Sequence, residues 1–469
     1  MQAADAIRRK QITSAELTAL LLKRIEQWDP KLNAFTYVLW VEAMEEAKKA
    51  DAALAKGQAA GPLHGVPVHV KESFGVQGRP ATWGIEAFRD TKSATDSDVV
   101  QKLRRAGGIL IGATNVPVNL QDWQTANPIY GVTNNPWNVE RTSGGSSGGS
   151  AAALAAGLGF LSVGSDIGGS IRIPAHFCGV FGHKPTIDLI STAGQMPGGI
   201  RTPPGLSSDL AVAGPMARSA DDLMAALQVL GGVVGSQARA FTWSLPKPRH
   251  ASLRDFRIGY ILDDPAAPIS SEIRPAFEAM LRKLETSGAQ LVPGWPERYR
   301  LPVAVEEYKS HLAAFLYSVA PKEAQAEMDG APRFADDWFS KGAHASHSDW
   351  MRNNLRRLSY RALWQKHFES VDAFLSPAAF VPAFPHGKDL KQLTTPDGDR
   401  PYEDLFQWIA TATFTGCPAT VAPIGTTADG LPVGVQVMGP MWEDATPIRL
   451  AGLISQETTG GFTAPSGWQ

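Results

Sequence analysis

Short apolar segments of strand length alternate with helical segments along most of this 469-residue chain. GGILIGATN at 107–115 is a continuous apolar run bounded by turn residues, which is typical of a strand covered on both faces. A helical pattern at about 96–106 precedes it. GFLSVGSD at 159–166, SADDLMAALQVL at 219–230 and RIGYILDD at 257–264 continue the alternation as strand, helix and strand. This order predicts an α/β fold around a large sheet.

The N-terminal part of the chain fits the same pattern. TSAE at 13–16 is a capping box, and the helix that follows it is predicted to end near Pro30. A second helical pattern covers 41–54. GPLHGVPVHVKES at 61–73 then predicts a strand, which Pro67 restricts to the edge or the mouth of the sheet because proline has no N–H to donate.

Residues 1–469 are expected to form a single domain, because no repeat and no long low-complexity tether divides them. The α/β pattern occupies about 60–235 and 370–458, where the last strand and helix lie. The segment between them, about 266–370, is mostly helical in pattern and richer in charged and aromatic residues. We expect this segment to cover the mouth of a pocket formed by the rest of the domain.

Charge and cysteine content argue against several classes of protein. Lys and Arg number 44 against 46 Asp and Glu, so electrostatics favour neither nucleic acid nor an anionic membrane as a partner. Cys178 and Cys417 are far apart and fit neither a disulfide framework nor a zinc site, and buried thiols are expected. The N-terminus has no apolar signal region, and the apolar run 151–164 is shorter than the roughly 20 residues of a membrane span. A cytoplasmic location is expected.

The stretch SGGSSGGSAAA at 143–153 admits several interpretations. A flexible linker is disfavoured because the apolar run 151–164 overlaps it and needs immediate burial. A phosphate-binding loop would need a lysine after the glycines, and none follows. GGSSG at 144–148 matches the GxSxG nucleophile elbow, but the turn formers at 133–143 cannot supply the strand that an elbow requires.

A second glycine-flanked serine suggests nucleophilic catalysis. Ser170 lies in SDIGGSIRIPA, directly after a predicted strand. The backbone N–H groups of Ile167, Gly168 and Gly169 would be exposed there with little side-chain obstruction, as an oxyanion hole requires. Ser146, at the mouth of an apolar helix, is a candidate to carry a proton between this nucleophile and a base.

Two kinds of base are available for such a nucleophile. Burial disfavours the charged form of lysine, so Lys71 at the end of the VPVHV strand could act as a base near neutral pH. A relay from Lys71 through Ser146 to Ser170 would then need no histidine. His176 and His183 offer a rival Ser-His-Asp triad, but a buried and hydrogen-bonded histidine is the commoner case.

Five separated blocks of the sequence resemble those of the amidase-signature hydrolases, in that family's order and at its spacing. They are HGVPVHVKES at 64–73, GATNVP at 112–117, GGSSGGSAAA at 144–153, GSDIGGSIRIPA at 164–175 and GLPVGVQVMGP at 430–440. The resemblance covers roughly 10–235 and 370–458. It implies a central mixed, twisted β-sheet flanked by helices and a Ser-Ser-Lys triad of Ser170, Ser146 and Lys71, with oxyanion donors at Ile167, Gly168 and Gly169.

The resemblance also suggests roles around the triad. TNVPVNLQDWQTANP at 114–128 is similar to the acyl-site loop of fatty-acid amide hydrolases, with Leu120 at the substrate-contacting position. Gly144 and Gly145 would let the backbone approach the substrate. Asp166 and Arg172 flank the nucleophile and are expected to form an ion pair that shapes its loop. Two residues depart from the family pattern: Glu72, where Asp is more usual, and Thr413, where Asn is frequent.

The predicted function is hydrolysis of linear C–N amide bonds through an acyl-enzyme intermediate, without a metal or organic cofactor. Apolar or aryl amides are the expected substrates, with carbamates and esters as further candidates. Four aromatic residues of the middle segment either line the pocket or belong to the core, and the core is favoured for each one: Trp338, Phe339, Trp350 and Trp364. The resemblance also leaves room for a homodimer through the first two helices.

Three alternatives remain open. One is a small primary-amide amidase. Another is the glutaminase subunit of a tRNA-dependent amidotransferase, although the acidic stretch that those subunits carry after TN is replaced here by VPVNLQDWQ at 116–124. A non-catalytic binding protein on the same fold is disfavoured because Lys71, Ser146 and Ser170 are all present.

Overall fold

A computed structural model describes residues 2–197, 209–320, 322–330 and 338–468 of the chain. Its helices are α1 (Gln2–Arg8), α2 (Ser14–Leu32), α3 (Trp40–Ala55), α4 (Asp98–Arg105), α5 (Gly148–Ala155), α6 (Arg172–Cys178), α7 (Ala220–Leu230), α8 (Arg274–Thr286), α9 (Leu301–Val319), α10 (Lys322–Gly330), α11 (Trp338–Ala343), α12 (His347–His367), α13 (Phe406–Thr415) and α14 (Ala445–Thr459). Its strands are β1 (Phe35–Val38), β2 (Pro67–Lys71), β3 (Ile109–Thr114), β4 (Ala126–Asn127), β5 (Gly131–Val132), β6 (Asn134–Asn135), β7 (Asn138–Thr142), β8 (Leu161–Asp166), β9 (Phe181–Lys184), β10 (Val212–Ala217), β11 (Arg257–Tyr260), β12 (Gln290–Pro293), β13 (Ala373–Pro377), β14 (Gln392–Thr395), β15 (Gly398–Pro401), β16 (Ala419–Thr426) and β17 (Pro432–Met438).

In the described part of the chain, 11 strands form one sheet in the order β1-β3-β2-β8-β10-β9-β16-β17-β13-β11-β12. The sheet is mixed. Strand β2 runs parallel to β3 and β8, and β11 runs parallel to β12 and β13, whereas the other neighbours are antiparallel. The predicted α/β fold with a central mixed sheet is therefore confirmed.

Strand β3 shows how the sheet is covered on both faces. Ile109 and Ile111 pack into a cluster with apolar side chains of α2 and α3. Leu110, which points the other way, and Ala113, which follows an irregularity in the pairing with β2, belong to the main hydrophobic core of the domain. Because both faces are apolar, the strand is an unbroken hydrophobic run, as its sequence predicted.

Strand β2 lies inside the sheet, so of the two positions predicted from Pro67, the edge or the mouth of the sheet, the edge is wrong. β2 pairs with β3 on one side and with β8 on the other. Pro67 is the first residue of the strand, where a missing N–H does not interrupt the ladder. Since β2 and β8 are parallel, their carboxyl ends meet at the same edge of the sheet, which brings Lys71 close to Asp166.

The described residues between 266 and 370 are mostly helical, as predicted, and comprise α8 to α12. The sequence pattern did not predict β12, which pairs with β11 at one end of the sheet. Helix α9 packs against α11, α12 and α13. The middle segment is therefore joined to the rest of the domain through β12, through α8, which packs on α14 and β16, and through α9, which packs on α13.

Features near the termini follow the sequence analysis closely. The capping box is present: the Thr13 N–H donates to Glu16 Oε2 at 2.9 Å, and the Glu16 N–H donates to Thr13 Oγ1 at 3.0 Å. Helix α2 continues through Pro30 to Leu32.

Cys178 and Cys417 are buried free thiols, as predicted. Across the described ranges, we find no helix that combines the length and the apolar character needed to cross a membrane.

Candidate active site

Lys71 ends strand β2 with no exposed surface. Its Nζ lies 2.6 Å from Ser146 Oγ and 2.9 Å from Ser165 Oγ. Burial lowers the pKa of Lys71 to about 7, although the nearby Asp166 carboxylate acts in the opposite direction. A substantial fraction of this amine is therefore neutral near pH 7 and can accept a proton from a hydroxyl.

The glycine and serine stretch is buried backbone, which excludes the linker interpretation. Gly144 has a φ of 82°, and its carbonyl oxygen accepts a hydrogen bond from Thr125 Oγ1 at 2.8 Å. A Cβ on Gly145 would lie 2.4 Å from the Asp122 carbonyl oxygen, and one on Gly148 would lie 2.3 Å from Thr125 Oγ1. The glycines thus allow the stretch to pack directly against residues 122–125 before it enters α5.

Two hydrogen bonds join the loop of Ser146 to the loop of Ser170 and to the strand β8 that precedes it. The Ser147 N–H donates to the Ser170 carbonyl oxygen at 3.1 Å, and Ser147 Oγ donates to the Ser165 carbonyl oxygen at 3.3 Å. Ser146 is 2% exposed and Ser170 is 6% exposed. Within the described residues the Ser170 hydroxyl makes no hydrogen bond with Ser146, so the structure forms the Lys71–Ser146 contact of the predicted relay and not the Ser146–Ser170 contact.

The loop at 167–170 contains the three predicted oxyanion donors, which differ in whether the protein already accepts their hydrogen bonds. The Gly169 N–H donates to Asp166 Oδ1 at 3.0 Å and is therefore occupied. Among the described residues, the N–H groups of Ile167 and Gly168 have no acceptor. The sequence analysis named three donors, and two of them are free to bind an oxyanion in this conformation.

The carbonyl groups of the same loop are held by two aromatic side chains. Tyr308 on α9 donates its hydroxyl hydrogen to the Ile167 carbonyl oxygen at 2.8 Å. Trp123 donates its indole Nε1–H to the Gly168 carbonyl oxygen at 2.7 Å. The sequence analysis assigned no role to either residue, because these contacts join segments that are 141 and 45 residues apart in the chain.

Asp166 and Arg172 form the expected ion pair, and neither side chain is exposed. Asp166 Oδ1 lies 2.8 Å from Arg172 Nη2, and Oδ2 accepts the Ile171 N–H at 3.0 Å. Burial would raise the pKa of Asp166, but the charge and hydrogen bonds of Arg172 outweigh it and lower that pKa below its usual value. The carboxylate thus remains charged and fixes the backbone on both sides of Ser170.

Both departures from the family pattern make local hydrogen bonds. Glu72 accepts the Thr82 N–H at 2.6 Å and the Trp83 N–H at 3.0 Å, and burial raises the pKa of Glu72 to about 7 in spite of these bonds. Thr413 Oγ1 accepts a hydrogen bond from Arg172 Nη2 at 2.6 Å. Neither residue replaces a group of the predicted triad.

Leu120 lies in the loop between β3 and β4. It is half-buried and has a φ of 59°. The same loop carries the indole of Trp123 to the Gly168 carbonyl group. The loop that contains Leu120 is therefore adjacent to the predicted oxyanion donors, while substrate contact by Leu120 itself stays a prediction.

The aromatic residues of the middle segment fall into two groups. Trp364 is fully buried and packs in the core, with its ring 4.9 Å from that of Phe374. Trp338 packs 5.7 Å from Phe406, whose ring is 4.5 Å from Trp123. Phe339 is buried beside Trp338, and Trp350 is half-buried. Trp338 is thus connected to the candidate site through Phe406, whereas Trp364 is a core residue.

The histidines of the rival triad are engaged in buried structural hydrogen bonds. His176 Nδ1 accepts the Gly434 N–H at 2.7 Å. His183 Nε2 lies 3.1 Å from Asp444 Oδ1. Burial lowers the pKa of both histidines. Neither ring contacts Ser170 among the described residues, so this structure offers no Ser-His-Asp triad at that serine.

Ser165 is a further site residue that the sequence analysis missed. It lies in β8, is buried, and forms the second hydroxyl contact of Lys71 Nζ. Its sequence context, GFLSVGSD, predicts a buried strand and gives no sign of a partner on another strand. Only the parallel pairing of β2 with β8 would have indicated it.

Comparisons with known proteins identify the family of this chain. The family model described as Amidase matches residues 16–447. One component of the glutamyl-tRNA(Gln) amidotransferase of Methylacidiphilum infernorum is 32% identical, over 96% of this chain and 92% of its own length. The fatty-acid amide hydrolase 2-A of Danio rerio is 31% identical, over 99% of this chain and 89% of its own length.

The structural comparison extends over the same length. One solved structure comes from work on a vestigial protein complex that reveals the evolutionary origins of an s-triazine catabolic enzyme. Its sequence is 28% identical to this chain. The two structures superpose with a TM-score of 0.82, and the superposition covers 99% of each chain. The whole chain, including the middle segment, therefore has its counterpart in that fold.

Proposed function

This chain belongs to the amidase family and is a hydrolase of C–N amide bonds; from that premise we propose that Ser170 is its nucleophile, Ser146 its proton relay and Lys71 its base. One observation carries the proposal. Lys71 Nζ is fully buried, has a pKa lowered to about 7, and lies 2.6 Å from Ser146 Oγ. A lysine in this position can take a proton from a serine hydroxyl at neutral pH.

In the first half of the reaction, Ser170 Oγ attacks the carbonyl carbon of the amide. Its proton passes to Ser146, and the proton of Ser146 passes to neutral Lys71. The C–N bond then breaks, and the leaving amine takes a proton returned through Ser146. In the second half, water attacks the acyl-enzyme and loses a proton through the same relay, which releases the acid and restores Ser170.

The oxyanion of each tetrahedral intermediate is bound by backbone N–H groups. The free N–H groups of Ile167 and Gly168 support this role, and each such donor contributes about 3 kcal/mol to transition-state stabilisation. Gly169, the third predicted donor, would first have to release Asp166 Oδ1. Asp166 and Arg172 support the loop without taking part in proton transfer.

We propose apolar or aryl amides as the preferred substrates, with carbamates and aryl esters as further substrates. The support is the group of aromatic side chains next to the loop of Ser170, which includes Trp123, Tyr308, Phe406 and Trp338. Aromatic rings offer large apolar contact to such groups. The similarity to a fatty-acid amide hydrolase points in the same direction. Leu120, Gly144 and Gly145 are proposed to contact the substrate, and the 266–370 segment to cover it.

The second candidate is the glutaminase component of an amidotransferase. The similarity to one component of a glutamyl-tRNA(Gln) amidotransferase favours it, since that relative matches nearly the whole chain. The aromatic surroundings of Gly168 favour an apolar substrate over glutamine. A glutaminase of this kind would also need partner proteins for full activity, whereas a stand-alone amidase would not.

The experiment that tests the proposal is turnover by the purified chain on compounds that share one acyl group. The acyl group is presented as a primary amide, an anilide, an aryl carbamate and an aryl ester, with free glutamine as a further substrate. We expect the anilide or the carbamate to be cleaved fastest. Ser170→Ala should reduce kcat by at least about 10⁴-fold on every substrate.

Two results would contradict the proposal. Residual turnover by Ser170→Ala close to that of the unaltered chain would exclude Ser170 as the nucleophile. If glutamine is the one compound turned over, and only after partner proteins are added, the chain is the glutaminase component of an amidotransferase and not a stand-alone amidase. Turnover of the primary amide alone would narrow the substrate class to small amides.

A further inference from the structure

We propose that Tyr308 and Trp123 are positioning residues that orient the backbone donors of the oxyanion loop. This inference rests on the proposed function, because it gives the Gly168 N–H a role in binding the oxyanion. Tyr308 donates to the Ile167 carbonyl oxygen at 2.8 Å, and Trp123 donates to the Gly168 carbonyl oxygen at 2.7 Å. Each residue therefore fixes one of the two peptide groups that adjoin Gly168.

A hydrogen bond that fixes the carbonyl oxygen of a peptide group also fixes the direction of the N–H in that group. A trans peptide group is planar, so its C=O and the N–H of the following residue point in opposite directions. The Ile167 carbonyl and the Gly168 N–H belong to one such plane. Because Tyr308 holds that carbonyl, the Gly168 N–H is directed away from Tyr308, and it has no protein acceptor among the described residues.

The neighbouring peptide group is held at both of its ends. Its carbonyl, that of Gly168, accepts the Trp123 indole N–H, and its own N–H, that of Gly169, donates to Asp166 Oδ1 at 3.0 Å. This peptide group cannot rotate without breaking both hydrogen bonds. The free donor at Gly168 thus lies next to a peptide group whose orientation is fixed.

Gly168 is buried, and the hydrogen bonds to Tyr308 and Trp123 are the contacts that orient the carbonyl groups on either side of it. A Cβ at this position would come no closer than 3.5 Å to any neighbour, namely Phe406 and the Tyr308 hydroxyl, which is ordinary contact. Glycine also has more freely accessible backbone conformations than any other residue. Without the two aromatic donors, the peptide groups on either side of Gly168 could turn and the N–H could leave the site.

The two donors are themselves rigidly placed. Tyr308 is fully buried and Trp123 is 7% exposed. The ring of Phe406 lies 4.5 Å from that of Trp123 and 5.7 Å from that of Tyr308, both edge to face. One apolar side chain therefore supports both hydrogen-bond donors, which makes them a fixed frame for the loop.

Tyr308 gives the middle segment a role in the reaction beyond covering the pocket. It lies on α9, inside the 266–370 segment that none of the five sequence blocks covers. A change in the position of α9 would be transmitted to the Ile167 carbonyl and hence to the Gly168 N–H. We infer that the middle segment helps to set the oxyanion site.

The test uses two substitutions that delete the donor atom and keep an aromatic ring, Tyr308→Phe and Trp123→Phe, in the full chain. Each should lower kcat on the best substrate of the panel by about 10- to 100-fold, up to the effect of losing one oxyanion donor. In Tyr308→Phe, which keeps the whole ring, KM should stay within about twofold, because the substrate in its ground state does not carry the oxyanion. In Trp123→Phe the smaller ring also alters the apolar contact proposed for the substrate, so kcat is the readout for that variant.

Matched controls remove similar hydrogen bonds elsewhere in the chain. Tyr299→Phe deletes a buried hydroxyl that pairs with Thr411 Oγ1 at 2.6 Å. Trp137→Phe deletes an indole N–H that donates to the Cys178 carbonyl oxygen at 2.9 Å. We expect these variants to lose comparable thermal stability and to keep kcat within about twofold of the unaltered chain.

A second readout separates positioning from a general loss of structure. An aryl trifluoromethyl ketone that shares the substrate's acyl group forms a tetrahedral adduct with a serine nucleophile and places an oxyanion in the site. Its affinity should fall by the same factor as kcat in Tyr308→Phe and Trp123→Phe, and should not fall in the two controls.

Unchanged kcat in both of these variants would overturn the inference, and so would a change in KM alone. If one of the two variants does not fold, the kcat of the other variant tests the inference. The result is distinguishable from a failure of the proposed function, since activity that survives Ser170→Ala would show that the oxyanion loop is not the reaction centre.

Discussion

Two lysines that end strands of the central sheet are equally buried but have different neighbours. Lys71 ends β2 and Lys184 ends β9, and neither has exposed surface. Burial lowers the pKa of Lys71 to about 7 and that of Lys184 to about 8. Lys71 Nζ contacts the hydroxyls of Ser146 and Ser165, whereas Lys184 Nζ donates to the Pro185 carbonyl oxygen at 2.8 Å.

A lowered pKa therefore does not by itself identify a catalytic base. A hydroxyl can give up its proton to a neutral amine, but a carbonyl oxygen has no proton to give. Lys184 therefore has no route to a nucleophile through its hydrogen-bond partner. Its charge has a different effect, since it helps to lower the pKa of Asp166.

The largest expected difference between the two lysines is in catalysis. Lys71→Met removes the proposed base and should lower kcat/KM by about 10³-fold. Lys184→Met deletes an equally buried amine and should change kcat/KM by less than about threefold, with its main effect on thermal stability. Kinetics and melting curves of the two variants provide the measurement. Equal losses of activity would mean that the neighbours do not distinguish the two lysines.

The pH dependence gives the next largest effect. Lys71 acts as a base only when neutral, so kcat/KM should rise by about tenfold per pH unit below pH 7 and level off above the pKa of about 7. The acidic limb of the profile should be unchanged in Lys184→Met. A profile that is flat from pH 5 to pH 9, measured where the chain remains folded, would contradict the assignment of Lys71.

The sequence could predict the parts of the site that lie within continuous segments. The apolar runs identified several strands of the sheet, among them β2, β3, β8 and β11, and the glycine-flanked serines marked the two loops that the structure joins through Ser147 and Ser170. Lys71 could be chosen because it directly follows the predicted strand VPVHV. Each of these inferences depends on a pattern within a few neighbouring residues.

The features that the sequence analysis did not predict depend on contacts between segments that are far apart in the chain. The edge alternative for β2 was wrong because Pro67 determines the loss of one N–H and not which strands lie beside β2. Ser165, Trp123 and Tyr308 reach their partners across 94, 45 and 141 residues of chain. The occupied N–H of Gly169 follows from how the loop folds around Asp166, which spacing alone does not determine.

The smallest effect concerns Ser165, the contact that most clearly separates Lys71 from Lys184. Ser165→Ala leaves Lys71 Nζ with Ser146 as its single hydroxyl partner and should lower kcat by about tenfold, the upper range for one hydrogen bond. The lost acceptor also stabilised the charged amine, so the acidic limb should shift below pH 7. Ser165→Thr, which keeps a hydroxyl, should restore most of the activity.

The matched control for Ser165 lies in the same strand. Ser162 is fully buried in β8, and its hydroxyl has no hydrogen-bond partner in the part of the chain that the structure describes. Ser162→Ala should therefore leave both kcat and the pH profile unchanged. If Ser165→Ala behaves like Ser162→Ala, Lys71 is positioned by Ser146 alone. If it shifts the profile as expected, the pair of hydroxyls, and not burial, sets Lys71 apart from Lys184.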